Sequence, residues 1–342
     1  MREIKPNKKN IFSKFFIKIC RFFGFEIIDQ SNFTAPVSNK SLNESLSVPG
    51  KRSITLPLGE IKITRKVKSF DVILRTCMTV NMLTQSKKRI FEKEKEEYTK
   101  RTLVSIIKSI NHAKIKFKET KFKIYVIDHN SQNVQINMLK NILNNSQIDF
   151  EIKNLDFNRY SKEIKKINEE NKEVTSNQKS NMSNIHQSII LSKEKCEDLT
   201  YFVEDDYLHK LNAVSEILFA YEKFSSLINN ELIICPTDYP YLYTGANDTK
   251  VFMGENRHWR KIDQTLCSFV MSKKIINNYF EELISMCKFE HYPFEKPLHK
   301  IYKKELCISP IPSLSVHFTN INSIYGLSPN VDWKKLWEEN ES

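Results

Sequence analysis

The stretch TYFVEDDYLH, residues 200–209, decides how this chain is read. Its first half is apolar and β-prone, and it runs straight into three consecutive carboxylates, Glu204, Asp205 and Asp206. Carboxylates this close raise the cost of ionising one another, so the run needs a divalent cation, a lysine or arginine from elsewhere in the fold, or water at an exposed turn. On an extended chain, positions i and i+2 point to one side. That puts Glu204 and Asp206 together as hard oxygen ligands of the kind Mg2+ or Mn2+ takes alongside substrate phosphates.

Working outward from this run, strand-like and helix-like stretches alternate. FDVILRTC precedes a long helix over residues 92–116, FKIYVIDHNS precedes a helix over 134–145, and FEIKNLD and a helix over 182–195 lead to the acidic strand. This β-α-β order predicts an α/β fold with a mainly parallel sheet flanked by helices. Ligands of such sheets bind at the carboxyl ends of the strands, where Asp128 and residues 204–206 fall. A helix over 212–229, a strand in ELIICPTDY, a further strand in KVFMGENRHWR and the segment TLCSFVMSKK follow. The basic tracts at 87–101 and 159–173 are expected to be solvated helix faces, and Trp333, Leu336 and Trp337 recur at the spacing of a helix that docks on a core.

Composition excludes several classes. The chain has 342 residues and only six glycines, no two within five positions of each other, so neither a P-loop nor a G-x-G-x-x-G turn can be built. Seven cysteines lie singly, with no C-x-x-C pair, which argues against a zinc ribbon or a disulfide framework and fits a reducing compartment.

The net charge is +12, and residues 1–68 hold fourteen Lys and Arg against five Asp and Glu, so most of the excess lies in the first fifth of the chain. Within it, residues 8–28 gather Phe12, Phe15, Phe16, Ile19, Phe22 and Phe23 on one helical face and Lys14, Lys18 and Arg21 on another. That pattern suits a helix lying on an anionic membrane surface, and equally a terminal helix docked on the protein's own core. Residues 30–48 read as a linker, and residues 53–69 as a strand pair around Gly59. The expected division is therefore 1–68, a basic amphipathic helix, linker and strand pair, and 69–342, a compact α/β domain. No apolar run approaches the roughly 18 to 20 residues that span a bilayer, and the apolar start lacks a cleavage site, so the expected location is the cytoplasm, peripheral on the inner face of the membrane.

FDVILRTC, YVIDHNSQN and YFVEDDYL, in that order, resemble the nucleotide-sugar-dependent glycosyltransferases of the GT-A fold, especially the family 2-like group. The resemblance covers residues 70–320. It implies a GT-A-like fold and an enzyme, an inverting hexosyltransferase, that moves a sugar from a nucleotide-diphosphate donor to a hydroxyl of a glycan or lipid-linked acceptor, with Mn2+ or Mg2+ as cofactor and no nucleic acid among its partners. Carried over, Arg75 and Thr76 sit at the mouth of the first strand, Asp128 faces the donor base, and Glu204 and Asp205 contact the nucleotide sugar. Asp206 is the main metal ligand, and His317 in PSLSVHFTN reaches the metal or the diphosphate.

Two departures from the pattern stand out. Glu204 replaces the first Asp of D-x-D, and the Arg-Asn pair often found before that motif is absent, its nearest equivalents being Asn181, Asn184 and Gln187. The general base that takes the acceptor proton is Glu295, in HYPFEKPLHKIYKK, or Asp263, with Glu290 a third candidate. Asp238, Tyr239, Tyr241 and Trp259 would form an acceptor shelf of stacking rings, core packing being the alternative. The other readings are a metal-dependent phosphoesterase and a non-catalytic membrane-associated assembly protein with a degenerate transferase fold.

Overall fold

The structure is a computed structural model that describes residues 11–25, 62–79, 89–246, 248–319 and 323–341. The chain divides into two compact units, Met1–Lys62 and Ile63–Ser342. In the first, helix α1 (Ile11–Phe22) ends at Gly24, whose φ of +82° is the left-handed stop that glycine takes without strain. The linker and most of the expected strand pair fall outside the described residues. Residues 62–68, its last part, form no strand.

The second unit is built on a nine-stranded sheet. Strands β1 (Ser69–Thr76), β2 (Lys121–Asp128), β3 (Asp149–Asn154) and β4 (Leu199–Glu204) pair in parallel in the order β3-β2-β1-β4. β5 (Tyr207–His209) leaves this sheet. β6 (Ile233–Ile234), β7 (Val251–Met253), β8 (His258–Ile262), β9 (Phe269–Ser272) and β10 (Cys307–Ile311) extend it as β4-β9-β6-β10-β8-β7, and β11 (Ser315–His317) pairs with β5 in a separate two-stranded sheet. β9 runs antiparallel to β4 and to β6, so the sheet is parallel in its first half and mixed in its second. This is the expected α/β class, a sheet flanked by helices.

Helices α2 (Lys95–Lys116), α3 (Asn133–Asn144), the short α4 (Phe157–Tyr160), α5 (Ser176–Lys195) and α6 (Ala213–Ile228) flank the sheet. α7 (Lys273–Asn278), α8 (Phe280–Lys288), α9 (Lys296–Tyr302) and α10 (Trp333–Glu338) complete the unit. All eight residues of β1 are buried, because β1 lies between β2 and β4 with helices on its faces; hence the run of Phe, Val, Ile and Leu, each worth about 1.5 to 3 kcal/mol when fully buried. α5 starts at a capping box: Thr175 accepts from the amide of Gln178, whose side chain reaches back to Thr175.

The tract at 159–173 forms no long helix, and the tract at 87–101 is not a solvated face, since Arg89, Lys95 and Arg101 are buried. α10 docks as its spacing predicts. Leu336 and Trp337 are buried, Trp337 stacks on Phe91 at 4.2 Å, and Arg101 lies over its ring at 4.3 Å. All seven cysteines are free thiols. Among the described residues no helix is long and apolar enough to cross a membrane.

Candidate functional site

The carboxyl ends of β1 and β4 open into a cavity of about 350 Å³. The strand register assembles its floor. Arg75 stands opposite Glu204 across β1–β4, and Thr76 stands opposite Asp128 across β1–β2. Nη2 of Arg75 lies 3.1 Å from Oε1 of Glu204, and its Nη1 donates to Oδ1 of Asn181 at 3.1 Å. Asn181 belongs to α5, where Gln178, Asn181 and Asn184 recur every third residue and all line the cavity. Asn184 is anchored by donating to the carbonyl of Ile127 at 3.0 Å.

β4 ends at Glu204, and Asp205 and Asp206 form the turn into β5. The strand pleat therefore does not aim Glu204 and Asp206 at one metal. The acidic run is neutralised instead by basic side chains from the tract expected to lie in solvent. Lys95 Nζ sits 2.6 Å from Oδ1 of Asp205 and 3.3 Å from Oδ2 of Asp206, and Arg89 Nη1 sits 3.1 Å from that same Oδ2. Oδ2 of Asp205 accepts from the amide of Cys77 at 3.2 Å and from the Thr99 hydroxyl at 3.0 Å. Asp205 thus fastens β1 and α2 to the turn.

Pairing of β11 with β5 sets His317 opposite Tyr207, beside the acidic turn. The two rings stack at 4.5 Å, and Nε2 of His317 lies 3.5 Å from Oδ1 of Asp206. Burial would raise the Asp206 carboxyl, but Lys95, His317 and Arg89 outweigh it and hold it well below the usual carboxylate range. Burial would lower the His317 imidazole, and Asp206 outweighs that and raises it.

A divalent cation at this corner would be held by Asp206 and His317, which are paired with each other in this structure. Nδ1 of His317 is tied to the carbonyl of Tyr325 at 2.7 Å, the second contact that leaves Nε2 as the liganding nitrogen, and Oδ1 of Asp206 is the oxygen not taken by Arg89 or Lys95. Among the described residues no group of three or more His, Cys, Asp or Glu side chains is placed to hold a metal, so this pair needs the phosphate oxygens of a substrate to complete it.

Across the cavity, Glu295 is the N-cap residue of α9. Burial pushes its carboxyl up to about 7, with the charge of Glu204 adding to the effect, and Cys267 Sγ stands 3.7 Å from its Oε1. Glu290 also lines the cavity, but its oxygens accept from Gln178 and, at 3.0 Å, from Asn168. Asp263 is exposed beyond the end of β8 and does not line the cavity, whereas Glu295 does.

The expected acceptor shelf is core. Asp238 is buried, ion-paired with Arg260, and accepts from Tyr243. Tyr239 is buried with its hydroxyl 2.8 Å from that of Tyr207, and Tyr241 donates to the carbonyl of Gln264 at 3.0 Å. Trp259 is fully buried and packs so tightly that a Cβ on Gly254 would come within 2.5 Å of its Nε1. None of the four lines the cavity; Phe294 and Tyr325 are the rings that do. Asp128 lines a second recess of about 350 Å³ with His129 and Asn154. Its Oδ1 accepts from the hydroxyls of Thr76 and Ser131, each at 2.6 Å, and its Oδ2 from the Ser131 amide at 3.1 Å. The side chain of Thr76, which lines the main cavity, links the two.

Arg89, Lys95, Phe294 and Tyr325 do not stand out in the sequence. The only signal for Lys95 is its place four residues before Thr99 and three before Tyr98 on what proves to be the buried face of α2.

An α/β sheet with a cationic and carboxylate-lined cavity at its strand ends defines the class of protein. No protein-family model matches the chain, and no curated protein matches it. Its neighbours among solved structures include three enzymes, each at low identity. The chain is similar to a UDP-glucose pyrophosphorylase complexed with UDP-glucose, at 9% identity over 80% of this chain and 97% of that one, with a TM-score of 0.42. It is similar to the inositol-1-phosphate CTP transferase from T. maritima, at 13% identity over 81% and 98%, TM-score 0.40, and to a galactosyltransferase in complex with donor and acceptor sugar analogues, at 8% over 79% and 95%, TM-score 0.36.

Proposed function

We propose that the chain is a glycosyltransferase that takes a sugar from a nucleotide-diphosphate donor and joins it to a hydroxyl of a glycan or lipid-linked acceptor. One observation supports this reading: Glu295, a half-buried carboxyl pushed up to about 7, shares one cavity with the basic groups Arg75, Arg89, Lys95 and His317, which in this structure are paired with Glu204, Asp205 and Asp206. The carboxyl is what a base needs to take a proton at physiological pH, and the basic groups are what a diphosphate needs as negative charge gathers on it.

In the reaction, Glu295 takes the proton of the acceptor hydroxyl, and the oxygen attacks the anomeric carbon. The bond from that carbon to the diphosphate oxygen breaks, and its electron pair leaves with the nucleotide diphosphate. Asp206 and His317 would hold Mn2+ or Mg2+, which when bound supplies positive charge to the departing diphosphate. Asn181, whose Oδ1 is held by Arg75, offers its Nδ2 to the sugar, and the recess beside Asp128 takes the base.

The test is a thermal-shift screen of nucleoside diphosphates with and without Mn2+, followed by donor hydrolysis. A ligand at about 100 times its Kd stabilises the fold by roughly 2.7 kcal/mol. A phosphoesterase would instead release phosphate from simple esters, and a non-catalytic protein would turn over neither. A protein that no nucleoside diphosphate stabilises, with or without the metal, would remove the donor from this cavity.

A further inference from the structure

Helix α1 carries a continuous apolar face that is exposed among the described residues. Phe12, Phe15, Phe16 and Phe22 are exposed by 61% or more, Ile19 is also exposed, and Phe23 and Phe25 continue the patch past the helix end. At about 100° per residue these side chains of the helix fall within one stripe, Lys18 borders it next to Phe22, and Lys14 and Arg21 fall on the other side, all three exposed. The helix contains no acidic residue. A run of large exposed rings costs free energy in water unless something covers it.

The charge says what covers it. An apolar face flanked only by cations is complementary to a layer that is apolar inside and anionic at its surface. At about 1.5 Å per residue the 12-residue helix is about 18 Å long, too short to cross a hydrocarbon core of about 30 Å, so it has to lie in the plane of the layer. Gly24 stops the helix, with Phe23 and Phe25 flanking the stop.

We infer that α1 is an in-plane anchor that seats the Phe12, Phe15, Phe16, Ile19 and Phe22 face among acyl chains and sets Lys14, Lys18 and Arg21 against anionic headgroups. This inference stands apart from the catalytic reading, because vesicle binding is measured without turnover.

The experiment uses the full chain and vesicles of phosphatidylcholine alone or with roughly a third phosphatidylglycerol. The protein should pellet with the anionic vesicles and not with the neutral ones. Raising salt from about 0.1 M to 1 M, which shortens the screening length from roughly 10 to 3 Å, should release it. With about 1 kcal/mol for each basic residue near the surface, the K14Q/K18Q/R21Q variant should bind roughly a hundredfold more weakly. The F16W variant should shift its emission to the blue on vesicle addition.

Equal binding to neutral and anionic vesicles, or binding to neither, would overturn the proposal. So would a lipid-free dimer in which the F16W emission is already blue-shifted, since the face would then be covered by a second copy. A drop in melting temperature for F15S/I19S without lipid would show that the helix belongs to the core.

Discussion

His317 stands with its Nε2 3.5 Å from Oδ1 of Asp206, because β11 pairs antiparallel with β5 in a sheet of only two strands. A turn and a distant strand are thereby joined into one corner of the cavity. The corner has a consequence for substitution. Asp206→Asn removes the shared partner of Arg89 and Lys95, and breaking a buried ion pair by taking one side away costs about 3 to 5 kcal/mol. It should lower the urea midpoint as well as abolish Mn2+-dependent nucleotide binding. His317→Gln should abolish the metal dependence at a smaller cost in stability. Calorimetric titration of nucleotide with and without Mn2+ decides this; metal dependence that survives in both variants removes the pair from the metal.

Glu295, the base of the proposed reaction, should show both a catalytic and a stability effect. Its folded carboxyl titrates at about 7, above the ordinary value of 4.5, so the folded state holds a proton that the unfolded chain has released. Stability linked to this group is fully present below about pH 4.5 and is lost as pH rises through 7, an upper bound of roughly 3 kcal/mol. Glu295→Gln should therefore melt higher than the unaltered protein at pH 8, with the gain shrinking towards pH 4.5. It should also lose about 10² to 10⁴ in kcat, and the unaltered enzyme should show a rate that rises with pH through about 7. A variant of full activity would pass the role of base to another group.

Lys95 offers a contrast within one basic tract. Lys95→Met leaves Asp205 and Asp206 buried with one cation fewer and should cost about 3 to 5 kcal/mol in chemical denaturation. Lys93→Met, at an exposed position two residues away, should stay within about 0.5 kcal/mol. Equal effects at the two positions would contradict the burial of the Lys95 ammonium.

Asp128 should matter twice. Asp128→Ala leaves the hydroxyls of Thr76 and Ser131 without their acceptor and should cost about 1 to 3 kcal/mol. If the recess beside it takes the donor base, affinity for the whole nucleoside diphosphate should also fall. Affinity unchanged in the folded variant takes the recess out of the donor site.

The α/β class, the strands that end in Asp128 and Glu204 and the helices between them were all legible in the sequence. Each rests on a local property, the burial period of 2 or 3.6 residues and β-branched runs, whereas the Thr175–Gln178 cap that starts α5 six residues earlier than expected was not read from the sequence. The absence of closely spaced glycines excluded the phosphate loops for the same local reason. The need of the acidic run for a positive partner is local too, since adjacent carboxylates repel whatever surrounds them.

Which partner it has, only the tertiary structure decided. Lys95 and Arg89 read as solvated because charge alone carries no burial signal; they are buried because α2 packs against β5 and because Phe91, Tyr98 and Trp337 close over that end. Asp238, Tyr239 and Trp259 read equally well as a sugar shelf or as core, since an aromatic side chain has the same local pattern in both. The pairing of β8 with β7 and β10, on the side of the sheet away from β1, put Trp259 in the core. Local sequence determines which segments become strand or helix, whereas the partner of a charge depends on which distant segment arrives beside it, and that is settled by the packing of the whole sheet.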